Sequence, residues 1–121
     1  MLKKRSEFLY VREGDYAARG AVVIQSRKNP NSHGIRYGVT ATKRIGNAVI
    51  RNRAKRRLRE LARDYLPEMG RPGYDYVLIA RDKTPSREWE KLRQDVRRAL
   101  QSLPGPGQRR EEQTGQSAPT L

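Results

Sequence analysis

Residues able to carry out hydrolytic chemistry are few in this sequence and widely separated. The single histidine, His33, lies in a segment rich in Gly, Asn and Pro, and the chain has no cysteine. The 13 acidic residues are scattered, and none of their spacings is typical of a metal site. Because hydrolysis needs a nucleophile or activated water, a base and charge stabilisation, the polypeptide alone is predicted to be inactive. No catalytic residue and no protein-bound metal ion are expected.

A run of cations points instead to a binding function. Between Lys43 and Arg63 there are nine Lys or Arg residues and a single acid, Glu60. The whole chain carries a formal net charge of +14, which implies a polyanionic partner, an acidic membrane surface, or both. Since a polyphosphate partner would remove the repulsion among these cations, nucleic acid is the favoured partner. A solvated basic face without a partner is the alternative.

The same run contains the apolar pattern of a helix. Its stripe recurs at spacings of four, four, three and four residues and consists of Ile50, Ala54, Leu58, Leu61 and Tyr65. Asn47 is the candidate N-cap and Pro67 the expected stop, which predicts a helix over about residues 48–65.

The cations of this helix lie on two flanks of the apolar stripe. One flank consists of Arg51, Lys55 and Arg59, and the other consists of Arg53 and Arg57. The residues that point outward are Asn52, Arg56 and Arg63. Such a helix can contact polyanions in two directions.

Sequence periodicity predicts the other elements. They are a first helix over residues 7–13 capped by Ser6, strands over residues 21–26, 35–42 and 75–80, and a last helix from Ser86 to about Leu103. The first two strands are expected to pair as an antiparallel hairpin. The third strand is continuously apolar and is expected to be central.

The sequence also predicts the environments of three individual residues in these elements. Trp89 is expected in the core. Gly38 lies on the polar face of its strand, where either solvent or the backbone of a ligand could approach. Phe8 has two open roles, core packing and contact with a ligand.

Residues 1–103 are expected to form one domain, and residues 104–121, which are polar and begin with Pro-Gly-Pro-Gly, are expected to form a disordered tail. No apolar run approaches membrane-spanning length. The lack of cysteine excludes a disulfide scaffold and fits a reducing compartment, so a cytoplasmic protein is expected.

Residues 40–60, TATKRIGNAVIRNRAKRRLRE, resemble the Arg-Asn-Arg signature of the bacterial ribonuclease P protein subunit. The resemblance extends over about residues 2–103 and is strongest over residues 38–60. It implies an α+β fold, a small two-layer α/β sandwich of the ribosomal protein S5 domain 2-like type. The implied order is α-β-β-(β)-α-β-α, with the extra short strand near residues 17–20. The implied βαβ crossover through the basic helix is left-handed, an exception to the usual rule.

The resemblance also implies a function. In that family the RNA subunit is catalytic, and the protein helps it to bind the 5′ leader of precursor tRNA and to hold metal ions. The chain would therefore be a subunit of a ribonucleoprotein endoribonuclease, with Mg²⁺ bound through the RNA. Its partners would be one ribonuclease P RNA, in a 1:1 complex with a monomeric protein, and precursor tRNA, with no membrane.

Roles carry over position by position from the resembled family. The residues expected beside the leader are Phe8, Arg12, Arg51, Asn52, Lys55 and Arg59. The residues expected to face the RNA subunit are Lys43, Arg44, Arg53, Arg56 and Arg57. Arg12 and Gln25 stand where the family often has aromatic residues, so leader recognition here is predicted to depend more on charge and to be more sensitive to salt.

Two other classes of function stay open. A structural RNA-binding protein, such as a ribosomal protein, has the same size and charge, and only the motif over residues 40–60 separates it from ribonuclease P. A stand-alone metal-dependent nuclease would need a carboxylate cluster that the sequence does not show.

Overall fold

The computed structural model describes residues 1–103, which form three α-helices and four β-strands. The helices are α1 (Arg5–Arg12), α2 (Ala48–Met69) and α3 (Trp89–Ser102). The strands are β1 (Asp15–Arg19), β2 (Val22–Lys28), β3 (Arg36–Thr40) and β4 (Tyr74–Ala80). This α-β-β-β-α-β-α order confirms the predicted fold class, and β1 is the short strand expected near residues 17–20. The predicted tail, residues 104–121, lies outside the described residues.

The four strands form one sheet in the order β1-β2-β4-β3. β2 is antiparallel to both β1 and β4, whereas β3 is parallel to β4 and connects to it through α2. The predicted hairpin between the strands that proved to be β2 and β3 is therefore wrong, because β4 lies between them. The prediction of a central β4 is confirmed, since six of its seven residues are buried.

Helices cover both faces of the sheet. Under α2 and α3 lies the main core, with Ile24 and Leu78 from the sheet packed among Leu58 and Leu92 of the helices, all fully buried. Under α1, on the other face, lies a smaller cluster of Leu2, Val11 and Val77. β4 contributes alternate residues to the two clusters, which explains why its sequence is apolar throughout.

The apolar stripe of α2 is confirmed in its centre and displaced at its start. Ala54, Leu58 and Leu61 are fully buried. Ile50 is 38% exposed. The buried face instead extends towards the C-terminus through Ala62 and Leu66. Asn47 is the N-cap as predicted, with its side-chain oxygen accepting the Ile50 N–H at 3.0 Å.

Pro67 does not end α2, so the predicted boundary at residue 65 is wrong. The helix continues to Met69, and the Gly70 N–H donates to the Leu66 carbonyl at 2.8 Å. Proline cannot donate to the Arg63 carbonyl, but Arg63 and Pro67 are both exposed, so solvent can reach that carbonyl. Burial of Leu66 holds the last turn on the core.

The starts of the other helices also differ from prediction. α1 begins at Arg5, and its cap is not Ser6; the Glu7 carboxylate accepts the backbone N–H groups of Lys3 and Lys4, each at 2.8 Å. α3 begins at Trp89 and not at Ser86, because residues 82–86 form turns and Arg87 a bend. Trp89 packs against the main core, as expected.

Candidate nucleic-acid interface

A cleft of about 540 Å³ opens between α1 and the β3 edge of the sheet. It brings together Phe8 and Arg12 of α1, Gln25 of β2 and Lys55 of α2, which are far apart in the sequence. The other residues that line it are Arg5, Leu9, Val39, Thr40, Ala41, Val77 and Ile79. An apolar floor is thus bordered by three cations and one aromatic ring.

Phe8 both packs against the sheet and borders the cleft. Its ring covers Gly38, where a Cβ atom would lie 2.6 Å from the Phe8 Cζ atom. Gly38 is buried, so the idea that solvent or a ligand backbone reaches it is wrong. The glycine instead allows the ring of Phe8 to lie close to β3, and one edge of Phe8 remains available to the cleft.

An ion-pair network built on one buried carboxylate, Asp75, fixes α1 in place. The Arg36 guanidinium binds Asp75 through two hydrogen bonds of 3.0 and 2.8 Å and reaches the Glu7 carboxylate at 3.2 Å. Asp75 is only 1% exposed and also accepts from the Asn29 side chain at 3.0 Å. The backbone N–H groups of Lys4 and Lys3, just before α1, and then Arg36 lower the pKa of Glu7. Hydrogen bonding to Asp75 raises the pKa of Arg36.

The cleft flank of α2, defined as Arg51, Lys55 and Arg59, is half-buried along its length. Lys55 lines the cleft, and Arg51 and Arg59 lie one turn before and after it on the same flank. Within residues 1–103, the side chain of Lys55 has no hydrogen-bond or ion-pair partner, and the buried Nε of Arg51 is likewise unpaired. This flank therefore has cationic groups that no protein acceptor satisfies.

The opposite flank, defined as Arg53 and Arg57 and called the loop flank below, is arranged differently. Arg57 donates to the carbonyl oxygens of Thr84 at 2.6 Å and Pro85 at 2.8 Å, and also to that of Arg87. Its guanidinium carbon lies 5.4 Å from the centre of the Trp89 ring. Burial and then the charge of Arg53 lower the pKa of Arg57. Arg53 itself is exposed.

The model of the family described as Ribonuclease P matches residues 1–104 of this chain. The chain belongs to the ribonuclease P protein family. The ribonuclease P protein component of Ruegeria pomeroyi is 51% identical over 109 residues, which cover 88% of this chain and 87% of the relative. That of Caulobacter vibrioides is 53% identical over 103 residues, covering 84% of this chain and 69% of the relative.

Solved structures agree with this ribonuclease P assignment. The RNase P protein of Thermotoga maritima superposes with a TM-score of 0.73 at 28% identity, covering 86% of this chain and 97% of that one. The RNase P protein of Staphylococcus aureus gives a TM-score of 0.72 at 25% identity, covering 83% and 91%. The fold class predicted from the resemblance is therefore confirmed.

In this member of the ribonuclease P family, only some of the predicted leader residues meet at the cleft. Phe8, Arg12 and Lys55 line it, whereas Arg51, Asn52 and Arg59 do not. Lys43, Arg44, Arg53 and Arg56, expected to face the RNA subunit, are all exposed. RNA contact by any of these residues stays a prediction, and for Arg57 the structure shows a set of internal acceptors.

Arg5 and Leu9 line the cleft but were not predicted. The signal that identifies them is helical spacing, since Arg5, Phe8, Leu9 and Arg12 occupy one face of a helix that starts at Arg5. The predicted start at residue 7 left Arg5 outside the helix. Among residues 1–103 no group of three His, Asp or Glu side chains could hold a metal ion, and no helix is both long and apolar enough to cross a membrane.

Proposed function

We propose that this chain is the protein subunit of a ribonuclease P holoenzyme and serves tRNA 5′ maturation in the cytoplasm. It binds the catalytic ribonuclease P RNA, one protein to one RNA, and the 5′ leader of precursor tRNA. The family assignment supports a role in ribonuclease P. The observation that carries the leader-binding part is the cleft in which three cations surround one aromatic ring.

The cleft has the features that single-stranded RNA requires. Single strands bind where cations follow the phosphates and aromatic rings stack on exposed bases, at about 1–3 kcal/mol per stacked base. Here Phe8 offers one ring edge, while Arg5, Arg12 and Lys55 offer charge. Gln25 and Arg12 provide no further ring, so phosphate contacts dominate leader binding and make it sensitive to salt.

The RNA subunit contacts the exposed cations outside the cleft in this proposal. Lys43 and Arg44 lie in a 3-10 turn just before α2, and Arg53 and Arg56 are exposed on α2 itself. In this proposal the RNA supplies the ligands for Mg²⁺, as the family resemblance implies, and the protein acts by binding and positioning. The polypeptide contributes no catalytic residue.

Reconstitution tests this function. The full-length protein is combined with a transcribed bacterial ribonuclease P RNA and precursor tRNA at low magnesium, where the RNA alone cleaves slowly. We expect cleavage at the mature 5′ end by the pair and none by the protein alone. Binding to the RNA without any rescue of cleavage would contradict the proposal and favour a structural RNA-binding protein. Cleavage by the protein alone would favour a metal-dependent nuclease.

A matched pair of variants localises the leader site in the same assay. Arg12→Gln removes a cation that lines the cleft, and Arg97→Gln removes an exposed cation from α3. We expect the first to weaken binding of leader-bearing precursor and to leave binding of mature tRNA unchanged. The second should match the unaltered protein on both substrates.

A further inference from the structure

The loop between β4 and α3, residues 81–88, forms a second basic surface outside the leader cleft. A cavity of about 390 Å³ beside it is lined by Gly20, Ala21, Arg81, Asp82, Lys83 and Arg87. Arg81 and Lys83 are exposed, whereas Arg87 is paired with Asp95 at 2.9 Å. The loop therefore exposes two cations, Arg81 and Lys83, and two acids, Asp82 and Glu88. Of these four residues, both cations and only one acid, Asp82, line the cavity.

Hydrogen bonds to the β1–β2 turn and to α3 hold the loop in one conformation. Thr84, which is fully buried, donates through its hydroxyl to the Ala21 carbonyl at 2.6 Å and accepts the Arg81 N–H at 2.7 Å. Asp95 accepts the Ala21 N–H at 3.0 Å and holds the Arg87 guanidinium. These bonds fix the loop to the β1–β2 turn and to α3.

Arg57 fixes the same loop from the side, in a way that only a guanidinium allows. Its donors reach the carbonyl oxygens of three loop residues, Thr84, Pro85 and Arg87. A lysine carries the same charge but lacks the planar fork of donors, so it cannot satisfy three such acceptors in this arrangement. The conformation of Arg81 and Lys83 thus depends on a residue of α2.

The loop surface is continuous with the loop flank of α2. Arg53 lies one turn before Arg57 and is close enough for its charge to affect Arg57, and it is exposed. Arg53 therefore lies beside the side chain that binds the loop carrying Arg81 and Lys83. Lys55, on the leader cleft, is two residues from both Arg53 and Arg57, which is about 200° around the helix axis, so it lies on nearly the opposite side of α2.

We propose that Arg57 is a positioning residue and that Arg81 and Lys83, held by it, bind phosphates of the ribonuclease P RNA. This inference rests on the proposed function and extends it to residues outside the Arg-Asn-Arg motif. The RNA subunit is the occupant, and not the leader, because the loop joins the exposed Arg53 side of α2 and the leader cleft lies on the other flank. Phosphate is the ligand because the cavity is lined by two exposed cations and by no aromatic ring on which a base could stack.

The test is the salt dependence of binding between the full-length protein and a ribonuclease P RNA transcript. In the variant Arg81→Gln/Lys83→Gln, we expect the slope of log K against log salt to fall by about two, one for each lost phosphate contact. Both residues are exposed, so folding should be unaffected. Arg97→Gln, an exposed cation of α3, is the matched control and should retain the unaltered slope.

Arg57→Lys separates positioning from direct contact. This change keeps the charge, so a direct phosphate contact would leave the slope unchanged, and that result would overturn the positioning role. If Arg57→Lys instead disrupts the loop conformation, the salt slope should fall by about two. The combination of Arg57→Lys with Arg81→Gln/Lys83→Gln should then show the same slope as Arg81→Gln/Lys83→Gln alone. The leader-dependent part of precursor tRNA affinity should stay unchanged; an equal loss for both partners would indicate general destabilisation and overturn the inference.

Two failures are distinguishable. If the unaltered protein binds ribonuclease P RNA no better than an unrelated RNA of equal length, the proposed function fails and this inference fails with it. If the unaltered protein binds and rescues cleavage while Arg81→Gln/Lys83→Gln keeps the full slope, only the inference is overturned.

Discussion

The two flanks of α2 carry similar cations in different states. On the cleft flank, Lys55 has no partner among the described residues and faces an open cleft. On the loop flank, Arg57 is bound to three backbone carbonyls and an aromatic ring. The difference teaches that two cations of one basic motif can differ in role: Arg57 stabilises the protein's own loop, whereas Lys55 keeps its charge available to a ligand.

The cleft flank also depends on structure outside α2. Its opposite wall is α1, which is held on the sheet by the ion pair of Glu7 with Arg36, itself fixed by Asp75, and by Phe8 against Gly38. Changes to this support should therefore weaken leader binding and leave the affinity for the RNA subunit unchanged. The loop that Arg57 binds has other supports, Thr84 and Asp95.

The largest expected effect comes from removing the support of α1. Arg36→Ala leaves Asp75 buried without its charged partner, which should lower the free energy of unfolding by about 3 kcal/mol. Leader-dependent affinity should fall with it, because α1 is one wall of the cleft. Urea denaturation measures the first effect and precursor binding the second.

Arg93→Ala is the control for that change. Its ion pair with Glu90 is exposed, with side-chain exposures of 42% and 65%, so solvent screens it and its loss should change the free energy of unfolding much less than the loss of Arg36. A similar stability loss in both variants would show that Arg36 does not support α1 in the way described.

A smaller effect is expected from Gly38→Ala. The added Cβ would lie 2.6 Å from Phe8 Cζ, so the ring must move into the cleft, at about 1–3 kcal/mol of stability. We expect weaker leader binding with normal affinity for the RNA subunit. Gly34→Ala is the control, because a Cβ there meets nothing within 4 Å. Unchanged leader binding in a destabilised Gly38→Ala protein would separate Phe8 from the leader.

Arg12→Phe sharpens the comparison at the cleft. It replaces a cation with the type of ring often found in the family, so the salt slope of leader binding should fall by about 0.7, the value for one phosphate of a single strand. The slope for the RNA subunit should not change. If the salt slope of leader binding is unchanged or steeper in Arg12→Phe, a phosphate contact by Arg12 in place of base stacking is contradicted.

The smallest effect concerns pH. Since the backbone N–H groups of Lys4 and Lys3 and then Arg36 lower the pKa of Glu7, ionised Glu7 stabilises the fold. That contribution is complete above the ordinary pKa of 4.5 and is lost as pH falls from there through the lower pKa of the folded state. Glu7→Gln should therefore make stability fall less steeply below pH 4.5, as thermal melts across pH would show. If stability falls equally steeply below pH 4.5 in Glu7→Gln and in the unaltered protein, this role of Glu7 is contradicted.

Local patterns predicted the parts of this fold that depend on neighbouring residues. The Asn47 cap, the buried centre of α2 and the apolar β4 follow from spacing and residue type. The pairing of β2 with β4 does not, because strand order depends on contacts between distant segments. Periodicity shows that β4 is buried on both faces without showing which strands lie beside it.

Helical geometry accounts for only part of the candidate site. The two flanks follow from helical geometry, since residues two apart point in nearly opposite directions. The acceptors of Arg57 are backbone carbonyls of residues 84, 85 and 87, which have no sequence signature. Arg5 lies on the cleft face because α1 begins at Arg5, two residues before the predicted start.

The central claim, that the two flanks serve two RNA partners, is tested most directly by Lys55→Gln and Arg53→Gln. The two variants lose the same charge from the same helix, so effects of net charge cancel. Both are measured for affinity to the ribonuclease P RNA and for the affinity that a 5′ leader adds to precursor tRNA. We predict that Lys55→Gln weakens the leader contribution about tenfold, ~1.4 kcal/mol, and that Arg53→Gln weakens RNA subunit binding by a similar factor. Equal losses for both partners in both variants would contradict the division of α2 into two RNA-binding flanks.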